Sequence, residues 1–263
     1  KKLLDRYQPQ LNDDQFFIQA LAYNVESLSH LNKYQFELSA QSQQKSLSLS
    51  RHLPNQGVYI YTHLFDGLLK LELGRSNDVI NAVKAIEHLP NIRENISSEM
   101  LSMASLLQAI AVYEQGKFTL ASNLIDANMY AMQHYAFTDL LLKLVIVKGR
   151  CLQYQGLTQQ AFGFYLQFMD LAKMRDSKRL QACVLHEEVR MRLLCKDIDG
   201  ARHLLRQFHP VELLSDYGPQ AQIEEWSELT NIRLQFHLGN FEPSNERLCG
   251  LIERFRRQGR IYR

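Results

Sequence analysis

The chain has 263 residues, 46% of them apolar and 22% charged, with 30 basic and 28 acidic side chains for a formal net charge of +2. That much apolar content excludes a disordered chain, and near neutrality gives no reason to invoke a nucleic-acid or membrane partner. Gly and Pro are sparse, at 12 and 6 against about 18 and about 13 for average usage, which together with frequent Leu and Gln and scarce Val and Thr favours helix over sheet.

A five-residue step recurs along the chain. A faint first copy runs from Asn32 to Glu37. Clearer copies follow as Gly74 to Val79, Gly116 to Ala121, Gly156 to Ala161, Lys196 to Ala201 and Gly239 to Ser244. The periods are 42, 42, 40, 40 and 43 residues. Seven residues before the turn stand Gly67, Ala109 and Gly149, degrading to Val189 and Ile232 in the last two copies. Gly or Asn at a turn permits a left-handed residue that ends a helix. A small residue before it and Ala after it let two helices pack closely. The pattern predicts helix–turn–helix pairs of tetratricopeptide type, stretched from about 34 to about 40 residues.

The expected fold is all-α, a right-handed α-α superhelix of six helix pairs. First helices are predicted at 13–29, 58–73, 97–115, 137–155, 178–195 and 220–238, each followed by a second helix after its turn. Pro54, Pro90 and Pro210 fall between copies, and Pro219 and Pro243 near predicted helix starts. Residues 41–50, QSQQKSLSLS, are of low complexity, with Leu47 and Leu49 keeping a helical rhythm. No linker divides the chain, so residues 1–263 read as one solenoid domain. It begins at Lys1 rather than Met and reads as part of a longer multidomain protein.

Enzyme signatures are missing: there is no phosphate-binding GxxxxGK[ST], no GxGxxG and no GxSxG. The stretch His186-Glu187-Glu188-Val189-Arg190 starts like a zinc-protease helix but carries Arg where the second His belongs. It reads as a surface helix face. Cys151, Cys183, Cys195 and Cys249 form no CxxC pair and read as buried reduced thiols, consistent with a cytoplasmic protein. No apolar run approaches the ~20 residues needed to cross a bilayer. Arg254, Arg256, Arg257, Arg260 and Arg263 suit the negative end of a last helix better than a nucleic-acid site. The expectation is a non-enzyme without cofactor or metal.

Aligning copies on the turn reveals a candidate binding stripe. Six residues before it stand Glu26, Leu68, Ile110, Arg150, Arg190 and Arg233. Three guanidinium groups recurring at that position, with Gln153, Tyr154, His186, Trp226, Phe236 and His237 nearby, would make a positive groove with aromatic walls. Such a groove suits an anionic or sugar-like effector or an acidic partner segment. The rival reading is structural ion pairs with Glu187, Glu188, Glu224, Glu225 or Glu228.

The stretches LLQAIAVYEQGKFTLASNLI, KGRCLQYQGLTQQAFGFY and the closing LTNIRLQFHLGNFEPSNERLCGLIERFRRQGRIYR resemble the solenoid region of MalT-like, LuxR-family bacterial transcriptional regulators of the large ATP-binding group. Gln258-Gly259-Arg260 matches the turn that ends the Leu-rich helix in that family. The resemblance implies an effector-sensing and protein-interaction domain. Its ATPase module would precede this chain and its DNA-binding helix-turn-helix would follow it, so no catalytic or DNA-contacting residue carries over. It implies an unidentified small-molecule or protein effector, possible self-association and no direct contact with nucleic acid or membrane. The alternative is a stand-alone scaffold or peptide receptor.

Overall fold

The computed structural model describes residues 13–51, 56–89, 97–206 and 219–258. Among them are twelve α-helices and no strand. In chain order they are α1 (Asp13–Asn32), α2 (Phe36–Ser50), α3 (Gln56–Glu72), α4 (Ser76–Glu87), α5 (Ser98–Glu114), α6 (Phe118–Tyr135), α7 (Thr138–Tyr154), α8 (Thr158–Met174), α9 (Lys178–Leu194), α10 (Ile198–Leu205), α11 (Pro219–His237) and α12 (Phe241–Arg257). All six first helices fall where the sequence periodicity predicts them. No helix of the described residues is long and apolar enough to cross a membrane. The chain divides into two compact units, residues 1–111 and residues 112–261, where the sequence reading treats 1–263 as one domain. Pro54, Pro90, Pro210, Arg260 and Arg263 lie outside the described residues. Pro219 opens α11, and Pro243 sits in the first turn of α12, where a missing N–H costs no helical bond.

Each pair is joined by the same turn. Gly74, Gly116, Gly156 and Gly239 adopt φ of 69, 78, 74 and 85°, and Lys196 reaches 61° without being Gly. The hydrogen bonds repeat as well. At Gly116 the glycine N–H bonds to Tyr113 O at 2.8 Å, and Lys117 N–H bonds to Val112 O at 3.0 Å. That pair of bonds closes a helix through a left-handed residue. The first copy corrects the sequence register. Its left-handed residue is Tyr34, at φ 58°, and not Asn32. The step then runs from Tyr34 to Ser39, and the residue six before the turn is Leu28 rather than Glu26. A tyrosine carries no turn signal, which is why the sequence places this copy two residues early.

The residue five after the turn is interior in every pair: Ser39, Val79, Ala121, Ala161 and Ala201 are fully buried and Ser244 is 2% exposed. The glycines seven before the turn make room for specific neighbours. A Cβ on Gly67 would stand 2.9 Å from Leu107 Cδ1, and one on Gly149 would occupy the place of the Tyr165 hydroxyl. Second helices pack on their own first helices, as α2 on α1, α4 on α3, α8 on α7, α10 on α9 and α12 on α11. First helices also pack on one another within each unit: α1 on α3, α7 on α9 and α9 on α11.

The low-complexity segment 41–50 lies in α2, and it packs with the reverse of the usual polarity. The buried face is Ser39, Ser42, Gln43, Ser46 and Ser50, while Leu38 is exposed and Leu47 and Leu49 are half-buried. Ser27 Oγ donates to Ser39 O at 3.1 Å, and Ser39 Oγ donates back to Ser27 O at 3.0 Å. Small side chains that bond across the contact hold α1 and α2 together in place of apolar burial.

Candidate functional site

Helix α9 is the best-enclosed element of the second unit, with α7, α8, α10 and α11 all packed on it. That setting decides the fate of its polar residues. His186 is 3% exposed and Glu187 is fully buried. The expectation of a surface face over His186–Arg190 is therefore overturned. Its source was the low apolar content of α9, which hides the fact that the helix has neighbours on most sides.

Glu187 is the centre of the site. Arg150 of α7 grips it with two bonds, Nε to Oε2 at 3.1 Å and Nη2 to Oε1 at 2.6 Å. Arg190, one turn along α9, donates Nε to Oε2 at 2.9 Å. Burial works against the carboxylate, but the Arg150 charge and hydrogen bonds, joined by Arg190 and His186, outweigh it and hold its pKa at about 2. The Arg150 guanidinium is held charged beyond its ordinary range, since Glu187 outweighs the burial that opposes it.

Arg233 of α11 sits differently. Its Nη1 donates to Nε2 of His186 at 2.9 Å. A guanidinium only donates, so His186 Nε2 accepts and the ring proton is on Nδ1. Nδ1 then donates to Thr230 Oγ1 at 2.7 Å and to Trp226 O at 3.1 Å. Burial pushes the His186 pKa down to about 3, Glu187 opposing, so the ring is neutral near pH 7. Arg233 forms no ion pair among the described residues. Burial lowers its pKa, with Glu187 opposing and Arg150 and Arg190 adding to the fall. Three guanidiniums thus face one carboxylate and one neutral imidazole. Arg150 and Arg190 are taken up by Glu187, and Arg233 feels that carboxylate only at a distance, without an ion pair of its own among the described residues. Beside them, the Tyr165 hydroxyl neighbours Arg190. Among the described residues neither it nor Nη2 of Arg190, both buried, makes a hydrogen bond of normal geometry.

Comparison of the chain with protein-family models, curated proteins and solved structures found no match. The site is accordingly read from its own chemistry.

Of the nine residues singled out in the sequence, the structure brings Arg150, His186, Arg190, Trp226 and Arg233 into one cluster, while Phe236 is 53% exposed. The Trp226 ring stacks toward His186, with 6.4 Å between centroids and 30° between planes. Gln153, Tyr154 and His237 stand apart from Glu187. Gln153 is half-buried, and Tyr154 is 72% exposed with its ring 4.2 Å from that of Phe118. His237 is exposed and bonds through Nδ1 to Arg233 O at 2.9 Å. Sequence reasoning gave Glu187 no more than a place among five possible partners, and missed Thr230 and Tyr165. A signal was present. Nine residues before the turn stand Leu107, Val147, Glu187 and Thr230, so a carboxylate occupies a position that is core elsewhere. The arginines do likewise, since Leu68 and Ile110 are buried at their position in earlier copies.

No group of three or more His, Cys, Asp or Glu among the described residues is arranged to hold a metal ion. Cys151 and Cys183 are buried, whereas Cys195 and Cys249 are exposed, against the expectation that all four are interior. Both lie at edges that no described helix covers: Cys195 follows the end of α9, and Cys249 is on the outer side of α12. Arg254 pairs with Glu228 at 2.9 Å and so ties α12 to α11.

Proposed function

We propose that this chain is a non-catalytic helical-repeat recognition domain, the effector-sensing and protein-interaction part of a MalT-like, LuxR-family transcriptional regulator. In this reading the hairpins continue as one right-handed tetratricopeptide-like superhelix. The domain works in the cytoplasm without a cofactor of its own, beside ATPase and helix-turn-helix modules of the same protein. The observation that supports recognition is the surplus of positive charge at a repeated position: Arg150, Arg190 and Arg233 face a single carboxylate, Glu187. Burying charge without full compensation is costly, and a site that does so favours an anion when one arrives. A ligand held by Arg233, which bonds His186 across the contact of α9 with α11, would bias the angle at which successive pairs stack, by as much as it prefers one arrangement over the other.

The test is the reading frame in which these codons lie. A phosphate-binding loop upstream and a helix-turn-helix downstream support the regulator. Unrelated flanking modules overturn it. The second reading, a stand-alone scaffold or peptide receptor, is favoured by the exposed Tyr154 packed at a tilt against Phe118, an aromatic surface of the sort that receives a partner's side chain.

A further inference from the structure

The last helix pair holds a cleft of about 580 Å³ between α11 and α12, within the range of roughly 300–1,000 Å³ typical of small-molecule sites. Its walls are apolar, with Leu229, Ile232, Phe236, Phe241 and Leu248, and Arg233 joins them. Phe236 and Phe241 are 53% and 57% exposed and meet edge to face at 4.9 Å between ring centroids. An exposed aromatic pair at a concave apolar surface leaves apolar area in water that a ligand can cover. Only α11 and α12 enclose it among the described helices, and α12 buries just Ser244 and Leu251.

Arg233 supplies the polar end. Among the described residues it is the one arginine of the stripe without a carboxylate, and the one hydrogen bond its guanidinium makes there runs to His186. The neutral imidazole accepts that bond but brings no negative charge. The remaining N–H groups are a fork suited to a carboxylate. Glu242 on the rim is exposed, where solvent screens its repulsion of an entering anion.

From this juxtaposition we infer that the α11–α12 cleft binds a small amphipathic carboxylate, its hydrocarbon or aromatic body between Phe236, Phe241 and Leu248 and its carboxylate on Arg233. Charge complementarity selects this occupant over a neutral apolar molecule, which would leave Arg233 without an ion pair. Length of apolar wall selects it over a bare anion. The inference deepens the recognition reading by naming a ligand class, and it is decided by binding, whereas the regulator assignment is decided by flanking modules. Failure of one leaves the other standing.

The experiment titrates the 263-residue chain by calorimetry with sodium decanoate, decanol and inorganic phosphate, following Trp226, the sole tryptophan, by fluorescence. Trp226 stacks on the histidine that Arg233 bonds, so a carboxylate that draws Arg233 away alters its surroundings. Decanoate is expected to bind once per chain, at least tenfold tighter than decanol, with no saturation by phosphate in the same range. Arg233→Gln is expected to bring decanoate down to the affinity of decanol and to leave decanol unchanged. Leu248→Trp, which fills the cleft from a half-exposed position away from Glu187, is expected to weaken both at least tenfold. If Arg233→Gln unfolds, the Leu248→Trp titration decides alone. Equal affinities for decanoate and decanol, phosphate binding as tight as decanoate, or a decanoate affinity untouched by Leu248→Trp would overturn the inference.

Discussion

The two units bury polar side chains by opposite means. In the first, α1, α2 and α3 meet through neutral groups: Asn24 Nδ2 donates to Thr62 Oγ1 at 3.0 Å, Gln43 Nε2 to Thr62 O at 2.6 Å, and Ser46 Oγ to Ala20 O at 2.9 Å. These side chains are small or planar, and each bond replaces one to water at little net gain or loss. In the second, α7 and α9 meet through ionised groups around Glu187, where desolvation is severe and geometry must compensate, and α11 joins through the neutral His186 ring beside them. The neutral interface tolerates loss of one member as a local defect. The charged one fails as a set, because removing the carboxylate strands two guanidiniums.

That contrast can be broken in order of size. Glu187→Ala is expected to cost about 3–5 kcal/mol, read as a lower urea midpoint. Replacing Arg150, Glu187 and Arg190 together by Met, Leu and Met should recover most of it. Acid acts next. Burial lowers His63 to about 4 in the first unit and His186 to about 3 in the second, each from 6.5. A folded pKa below the unfolded one means stability is complete above pH 6.5 and is lost as pH falls toward the folded value. While both rings titrate, the slope is about 2.7 kcal/mol per pH unit, and His63→Gln should halve it. Glu187, lowered from 4.5 to about 2, adds a further loss only below pH 4.5. Thr62→Val is expected to cost about 1–3 kcal/mol, since Asn24 and Ser46 lose a shared partner. The smallest effect has the opposite sign. Tyr34 and Lys196 hold left-handed turns that Gly holds in the other pairs, so Tyr34→Gly or Lys196→Gly should stabilise by about 1 kcal/mol, measured by thermal melting.

The repeat was legible because turns and close contacts depend on local chemistry. Gly116 and Gly156 announce left-handed residues, and Ala121 and Ala161 announce a tight helix contact. Tyr34 announces nothing, and the first copy is displaced by two residues for that reason. The arginine stripe was legible as a coincidence of position across three copies. What Glu187 does was not, because burial of α9 depends on helices 40 residues away on either side, and its polar sequence imitates a solvated face. The inverted polarity of α2 escaped for a related cause. A serine that bonds across an interface and a serine that bonds to water are the same letter.

The central claim is a division of labour among the three arginines: Arg150 and Arg190 serve Glu187, and Arg233 does not. Double-mutant cycles in urea unfolding test it directly, pairing Glu187→Gln with Arg150→Gln and with Arg233→Gln. A coupling of about 2–3 kcal/mol for Arg150 and one several-fold smaller for Arg233 is the predicted result. Equal couplings would contradict it, since Arg233 would then be a third structural partner of the buried carboxylate with no charge left for a ligand.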